Sequence, residues 1–311
     1  MPSDRLGRQI TAVKPITVPT PVPATGHGPA RGTDLQVKVT APVVGRDLPV
    51  IVFSHGNAWS MDGYGPLADR WAAAGFVVVQ PTHLDSRRHA IGWDDPRFAT
   101  VWRVRIADLH AVLDGLGGIL AQAGGLEDRV DRERVAVAGH SWGAQTAGTL
   151  LGARVLGADG SPGEDFSHPA VAAGALIAAT GTGDSLTPFA AEHLPFMRPD
   201  YATMTTPALV VAGGRDQSQL STRGPEWFTD AYRLSPSPKS LLTIDEGEHT
   251  LGGLAGEAAA ETTDEDPARV ALVADAVSAY LLDALKVDGS AWAALKDAAA
   301  AGDGTWSVAG K

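Results

Sequence analysis

One pentapeptide, Gly139-His140-Ser141-Trp142-Gly143, points most directly to the architecture of this chain. The pattern Gly-x-Ser-x-Gly follows an apolar run, 134–138, and precedes a helix-like segment, 144–155. This order of elements is a strand, then a tight turn with a glycine on each side, then a helix. Such a turn places one serine hydroxyl above the edge of a sheet. Glycine is needed in such a turn because a Cβ atom would collide with the neighbouring strand or helix. Ser141 is therefore a candidate nucleophile.

Short apolar runs alternate with helix-like segments along most of the chain. The predicted strands are 50–53, 76–79, 135–138, 175–179, 208–211 and 241–244. The predicted helices are 64–74, 102–120, 144–155 and 267–285, each with apolar residues at three- and four-residue steps or with a recognisable start or stop. Strands that are apolar on both faces predict an α/β fold in which helices cover both sides of a mostly parallel central sheet. In such sheets, reactive groups collect in loops at the carboxyl ends of the strands.

The two ends of the chain differ in composition from this alternating part. Residues 1–33 are rich in Pro, Thr and Gly and predict an extended lead-in, with one short strand at 16–18. We expect one main domain over 34–285, which begins with an outer strand at 34–39 and has room for a small cap within 157–204. The segment 286–311 is predicted to be a C-terminal helix, 290–301, or a tail.

Composition and charge exclude several classes of function. The net charge is −11 over 311 residues, so nucleic acids and anionic membranes are poor partners for the surface as a whole. No apolar run approaches the roughly 20 residues that span a bilayer. The absence of cysteine excludes thiolate catalysis and cysteine metal sites. Because the first residues lack the layout of a secretory signal, we expect a cytoplasmic protein, or a secreted one if a signal was removed.

Two further residues have the position and type that a serine nucleophile requires. Asp216 follows the strand 208–211, and His249 follows the strand 241–244. The chain order Ser141, Asp216, His249 is the order expected for this serine turn. In this arrangement the histidine is the base that activates the serine, and the aspartate orients the histidine. The three residues together are far more specific than any one of them.

A fourth element follows the predicted strand 50–53. The sequence Ser54-His55-Gly56-Asn57 lies where a turn can aim backbone N–H groups at a developing negative charge. We expect the Asn57 N–H, with Ala58 as the less favoured choice, and the Trp142 N–H to form this oxyanion hole. His55 is expected to be structural. Trp59, His140 and Ala58 are further candidates for substrate contacts.

These motifs resemble those of the α/β-hydrolase fold. The resemblance rests on Gly-His-Ser-Trp-Gly, the Ser-His-Gly-Asn turn, Gly-Arg-Asp and Gly-Glu-His, and it covers about 35–285. Within that fold the chain is similar to bacterial members of the chlorophyllase, platelet-activating-factor acetylhydrolase, dienelactone hydrolase and polyester hydrolase branches. The resemblance implies a serine esterase that needs no cofactor.

One position departs from two of these branches. Chlorophyllases and the acetylhydrolases place the acid at the end of the strand after the nucleophile helix. Here that strand, 174–179, is followed by Thr180, and the nearest carboxylate is Asp184. We therefore assign the acid to Asp216, as in dienelactone and polyester hydrolases.

The sequence thus predicts a hydrolase of carboxylic esters that uses Ser141, His249 and Asp216 and forms an acyl-enzyme. The substrate is expected to be a small-molecule or polymeric ester, with no metal and no cofactor; the oligomeric state stays open. The same machinery also serves amidases, peptidases, thioesterases and acyltransferases. A binding protein that kept the fold without catalysis is the alternative from another class.

Overall fold

The structure is a computed structural model that describes residues 10–12, 16–18, 31–92, 95–256, 259–260, 262–302 and 304–311. The strands are β1 (Ile10–Ala12), β2 (Ile16–Val18), β3 (Leu35–Pro42), β4 (Leu48–Ser54), β5 (Val77–Pro81), β6 (Val130–His140), β7 (Arg154–Val155), β8 (Val171–Ile177), β9 (Pro199–Asp200), β10 (Ala208–Gly213), β11 (Lys239–Ile244) and β12 (Trp306–Gly310). The α-helices are α1 (Gly65–Ala73), α2 (Val101–Asp114), α3 (Leu116–Gln122), α4 (Trp142–Leu150), α5 (Pro188–His193), α6 (Asp230–Leu234), α7 (Pro267–Ala284) and α8 (Ser290–Ala301). Most of the predicted lead-in, 1–33, lies outside the described residues.

A mixed but mostly parallel sheet forms the centre of the molecule. Its strand order is β1-β3-β5-β4-β6-β8-β10-β11-β12, and β2 also pairs with β3. The six strands from β5 to β11 in this order are parallel to one another. The pairings of β1, β2 and β5 with β3, and of β12 with β11, are antiparallel. Consequently β4, β6, β8, β10 and β11 all end at the same edge of the sheet.

The sheet separates two hydrophobic cores, because successive strand residues point to opposite faces. In β4, Val50 and Val52 join one core, whereas Ile51 and Phe53 join the other. Helices α2, α3 and α4 cover the first core, and α1, α7 and α8 cover the second. This arrangement confirms the predicted α/β class with helices on both faces.

The helix α7 shows how local sequence fixes an element boundary. The Asp266 carboxylate accepts hydrogen bonds from the N–H groups of Ala268 and Arg269 at 2.9 and 3.1 Å. This is the capping expected before Pro267, whose missing N–H has no helical partner at the first position. The helix was therefore predicted nearly to the residue.

Three predictions about elements were wrong or incomplete. The strand predicted at 34–39 is not an outer strand, because β3 has partners on both sides. The helix predicted over 102–120 is two helices, since Gly115 leaves helical dihedrals with φ −87° and ψ 3°. In the C-terminal segment, α8 was predicted but β12 was missed. That strand extends the sheet beyond β11.

Candidate active site

Ser141 lies on a sharp turn between β6 and α4. Its backbone has φ 55° and ψ −123°, a conformation that is strained by about 1–3 kcal/mol for a residue other than glycine. The Ser141 N–H donates to the Ile177 carbonyl at 2.9 Å, which holds the turn against β8. The turn thus presents the Ser141 side chain at the carboxyl edge of the sheet.

The two glycines of the turn are required by close backbone contacts. A Cβ atom on Gly139 would lie 2.1 Å from the Gly143 carbonyl oxygen. A Cβ atom on Gly143 would lie 2.0 Å from the Ser54 carbonyl oxygen. Both distances are far inside van der Waals contact, so no other residue fits without a backbone shift.

The structure brings Ser141, His249 and Asp216 into one hydrogen-bonded series. His249 Nε2 lies 2.9 Å from Ser141 Oγ, and His249 Nδ1 lies 3.1 and 3.0 Å from the two carboxylate oxygens of Asp216. Because a carboxylate only accepts hydrogen bonds, Nδ1 carries the proton and Nε2 is left to accept from the serine hydroxyl. This tautomer is the one that a general base needs.

Asp216 is fully buried, whereas the His249 side chain is 38% exposed. Burial raises the pKa of the Asp216 carboxyl, and the hydrogen bond from His249 lowers it again. The negative charges of Asp264 and Glu248 add to the upward shift of the pKa. The net direction of the pKa is upward, because burial is the largest of these effects.

The loops that carry Asp216 and His249 contact each other through their backbones. The Arg215 N–H donates to the Gly247 carbonyl at 2.9 Å. A Cβ atom on Gly213 would lie 2.2 Å from that carbonyl oxygen, and one on Gly214 would lie 2.4 Å from the Asp245 carbonyl oxygen. The glycines before Asp216 therefore permit the close approach that sets its distance from His249.

Asp264 organises the His249 loop and was not predicted from the sequence. Its carboxylate accepts from the N–H groups of Glu248 and Gly252 at 2.9 and 3.1 Å and from the Thr250 hydroxyl at 3.0 Å. Arg269 neutralises it from α7 at 2.6 Å. No short motif marks this carboxylate, because its partners are spread over the loop.

His140 supports the same loop from behind the nucleophile. Its Nε2–H donates to the His249 carbonyl at 2.8 Å, and its Nδ1 accepts from the Tyr64 hydroxyl at 2.9 Å. Burial lowers the pKa of His140 to about 3, with a further contribution from His249, so the ring stays neutral. Both ring nitrogens of His140 are engaged and the residue is buried, so it supports the His249 loop; the substrate contact expected from the sequence stays a prediction.

The turn at 55–58 leaves β4 beside the nucleophile turn, since Ser54 pairs with Gly139 in the parallel register. Among the described residues, neither the Asn57 N–H nor the Trp142 N–H donates a hydrogen bond. The Ala58 N–H instead faces an Asp85 carboxylate oxygen at 3.4 Å. Within the part of the chain that the structure describes, the Asn57 N–H therefore has no protein acceptor, whereas the Ala58 N–H has one.

His55 is buried within its own turn. Its Nδ1–H donates to the Gly56 carbonyl at 2.7 Å, and its Nε2 accepts from the His83 N–H at 2.9 Å. Burial holds the pKa of His55 well below its usual range. These contacts give His55 the structural role expected from the sequence.

Several aromatic side chains pack close to Trp142 and His249. Trp142 packs edge-on against Phe196 at 5.3 Å between ring centroids, and Phe228 lies 5.5 Å from the His249 ring. Trp59 is partly exposed and packs against Tyr64 at 6.0 Å. Trp59 thus lies close to the site with part of its surface open to solvent, whereas Trp142 is mostly buried.

The alternative acid, Asp184, lies elsewhere. It is exposed and accepts from the Thr182 hydroxyl at 2.5 Å. Thr180, at the position of the acid in two of the resembled branches, is buried and donates to Gln145 at 2.9 Å. His249 has Asp216 as its carboxylate partner, as assigned from the sequence.

Comparisons with known proteins add no assignment. No protein-family model matches the chain, and a search of curated proteins finds no significant match. Within the described residues, no group of three or more His, Cys, Asp or Glu side chains is arranged to hold a metal ion. None of the helices described is both long enough and apolar enough to cross a membrane.

Proposed function

We propose that this chain is a serine-dependent hydrolase of carboxylic esters with the α/β-hydrolase fold. The observation that carries the proposal is the series Asp216–His249–Ser141, with hydrogen-bond distances of 3.0 and 2.9 Å at its two links. Its members come from three separate strand ends, in the order expected for a serine turn of this kind. The strained backbone at Ser141 supports a functional rather than a packing role, because such strain clusters at active sites.

Acylation begins when the Ser141 oxygen attacks the ester carbonyl carbon. His249 Nε2 takes the hydroxyl proton as the new bond forms. Asp216 stabilises the resulting imidazolium and keeps Nδ1 protonated. His249 then returns the proton to the leaving alcohol, and the ester acyl group remains on Ser141.

The negative charge on the carbonyl oxygen requires donors that are already in place. In the proposed mechanism the Asn57 and Trp142 N–H groups supply them, and each donor is worth about 3–4 kcal/mol of transition-state stabilisation. Trp142 is the first residue of α4, where the helix dipole also favours a negative charge.

Deacylation repeats these steps with water. His249 removes a proton from water, the hydroxide attacks the acyl carbon, and the proton then returns to Ser141. We favour esters over amides because an alkoxide leaves more readily than an amide nitrogen.

The test compares turnover of p-nitrophenyl butyrate with that of butyryl p-nitroanilide, together with labelling by a fluorophosphonate. We expect ester turnover and stoichiometric labelling. Ser141→Ala should abolish labelling and lower kcat/KM by about 10⁴-fold or more. Ser185→Ala, which removes a partly buried hydroxyl bonded to Ser221, is the matched control and should retain both.

Undiminished ester turnover by a folded Ser141→Ala variant would refute the proposal. A wild-type protein that neither turns over esters nor reacts with the fluorophosphonate would favour a binding protein. Faster turnover of the anilide than of the ester would indicate an amidase with the same residues.

A further inference from the structure

Arg105 of α2 lies between the two elements that carry the proposed oxyanion donors. It is 1% exposed. Its Nη2 donates to the His55 carbonyl, two residues before Asn57. Its Nε donates to the Thr146 hydroxyl on α4 at 3.2 Å. One guanidinium therefore contacts both the 55–58 turn and the helix that begins at Trp142.

Asp85 forms an ion pair with Arg105 and also contacts the 55–58 turn. Arg105 Nη1 lies 2.7 Å from both oxygens of the Asp85 carboxylate, and neither side chain is more than 1% exposed. The same carboxylate faces the Ala58 N–H at 3.4 Å. The backbone is therefore held two residues before Asn57 by Arg105 and one residue after it by Asp85, the opposite members of one ion pair.

Thr146 extends the connection to the second donor. Its hydroxyl accepts from Arg105 and donates to the Trp142 carbonyl at 2.9 Å. The path from His55 through Arg105 and Thr146 to Trp142 links the two donor segments through hydrogen bonds alone. Among the described residues, no hydrogen bond joins Arg105 or Thr146 to the side chains of Ser141, His249 or Asp216.

We infer that the Arg105–Asp85 pair positions the Asn57 and Trp142 N–H groups relative to each other, an inference that rests on the proposed function. A buried ion pair adds little net stability compared with apolar residues of the same size, so stability alone does not account for this one. A role in positioning does account for the pair, because misplacing a reacting or stabilising group by about 1 Å lowers a rate by about 10²-fold. Arg105 and Asp85 are positioning residues, since neither is placed to touch the substrate.

The mildest test removes one hydroxyl from the path. Thr146→Val deletes the contact between Arg105 and α4 and keeps the shape of the side chain. Thr149→Val is the matched control, because Thr149 is equally buried on α4 and bonds the Thr146 carbonyl at 2.7 Å without touching Arg105. We expect kcat for p-nitrophenyl butyrate to fall about tenfold in Thr146→Val, part of the 10²–10³-fold effect of losing a donor, and less than twofold in Thr149→Val. KM should change less than twofold in both variants.

A second measurement separates transition-state stabilisation from general loosening of the fold. Phenylboronic acid forms a B–O bond with the serine oxygen as the serine proton moves to the histidine, which gives a tetrahedral anionic adduct. Its dissociation constant should rise in Thr146→Val by the same factor as kcat falls, and stay unchanged in Thr149→Val. A merely structural role would lower the Tm of both variants alike and leave this difference absent.

Arg105→Lys is the stronger perturbation, because an ammonium group cannot bond Asp85, His55 and Thr146 in the same geometry. We expect kcat to fall by about 10²-fold. Arg223→Lys is its control, since Arg223 forms an ion pair with the buried Asp230 at 2.8 and 3.0 Å and bonds neither the 55–58 turn nor α4. It should lower the Tm with little change in kcat.

This inference would be overturned if folded Thr146→Val and Arg105→Lys variants kept the wild-type kcat and boronate affinity while Ser141→Ala was inactive. The proposed function would still stand in that case. Loss of ester turnover and fluorophosphonate labelling in the wild type would overturn both.

Discussion

Replacing Asp216 by Asn separates the charge of the acid from its shape. The amide oxygen can still accept from His249 Nδ1, but it cannot stabilise the imidazolium that forms when Ser141 gives up its proton. The two charges are about 3 Å apart, and at an effective dielectric constant of about 20 their attraction is about 5 kcal/mol. Because His249 is 38% exposed, water screens part of this attraction, and about 3–5 kcal/mol remains.

We therefore expect Asp216→Asn to lower kcat/KM by about 10²–10⁴-fold, at about 1.4 kcal/mol for each factor of ten. Stability should hold or increase, because burial disfavours the charged carboxyl, as the raised pKa of Asp216 indicates. The assay is initial-rate turnover of p-nitrophenyl butyrate at pH 8, with thermal melts of both proteins. Asp184→Asn, which alters the exposed alternative acid, should match the wild type.

A folded Asp216→Asn variant within tenfold of wild-type kcat/KM would refute the assignment of Asp216. A comparable loss in Asp184→Asn would show that the acid was misidentified.

Two further predictions concern the stability of the folded protein and test residues beside the candidate site. Gly143→Ala should lower the free energy of unfolding by at least about 3 kcal/mol in urea titrations, because its Cβ would lie 2.0 Å from the Ser54 carbonyl oxygen. Gly118→Ala, on an open face of α3, should hold or gain stability, and equal effects of the two changes would contradict the steric argument. The pKa of His140 is lowered to about 3, so the unfolded chain binds more protons than the folded one between about pH 3 and 6.5, and stability rises with pH across that window. His140→Asn should reduce this slope by up to about 1.4 kcal/mol per pH unit, and an unchanged slope in unfolding titrations would argue against a neutral buried ring.

The parts of the fold that were predictable depend on local patterns. Each of β4, β6, β10 and β11 contains a short apolar run, and each such run lies just before one of the polar motifs. Since parallel strands share a carboxyl edge, the positions of Ser141, Asp216 and His249 along the chain were enough to predict that they meet. Their mutual distances confirm that expectation.

The supporting residues were not predictable, because their partners are distant along the chain. Arg105 lies on a helix whose apolar spacing marks only its buried face, and nothing local marks the Asp85 contact. Asp264 resembles a solvated acid in an acidic loop until the fold brings Arg269 and the His249 loop to it. The strand β12 was missed for a similar reason: its exposed, mixed composition becomes a strand only beside β11.

The backbone contacts between the acid loop and the base loop have a consequence for redesign. Gly213 and Gly214 contact the main chain at 245–247. The neighbouring side chains Arg215 and Glu246 point outward and form an ion pair in which both are more than half exposed. Changing these outward side chains, for example to attach the protein to a support, should leave the spacing of Asp216 and His249 intact. A library can therefore vary Arg215 and Glu246, whereas Gly213 and Gly214 must be kept.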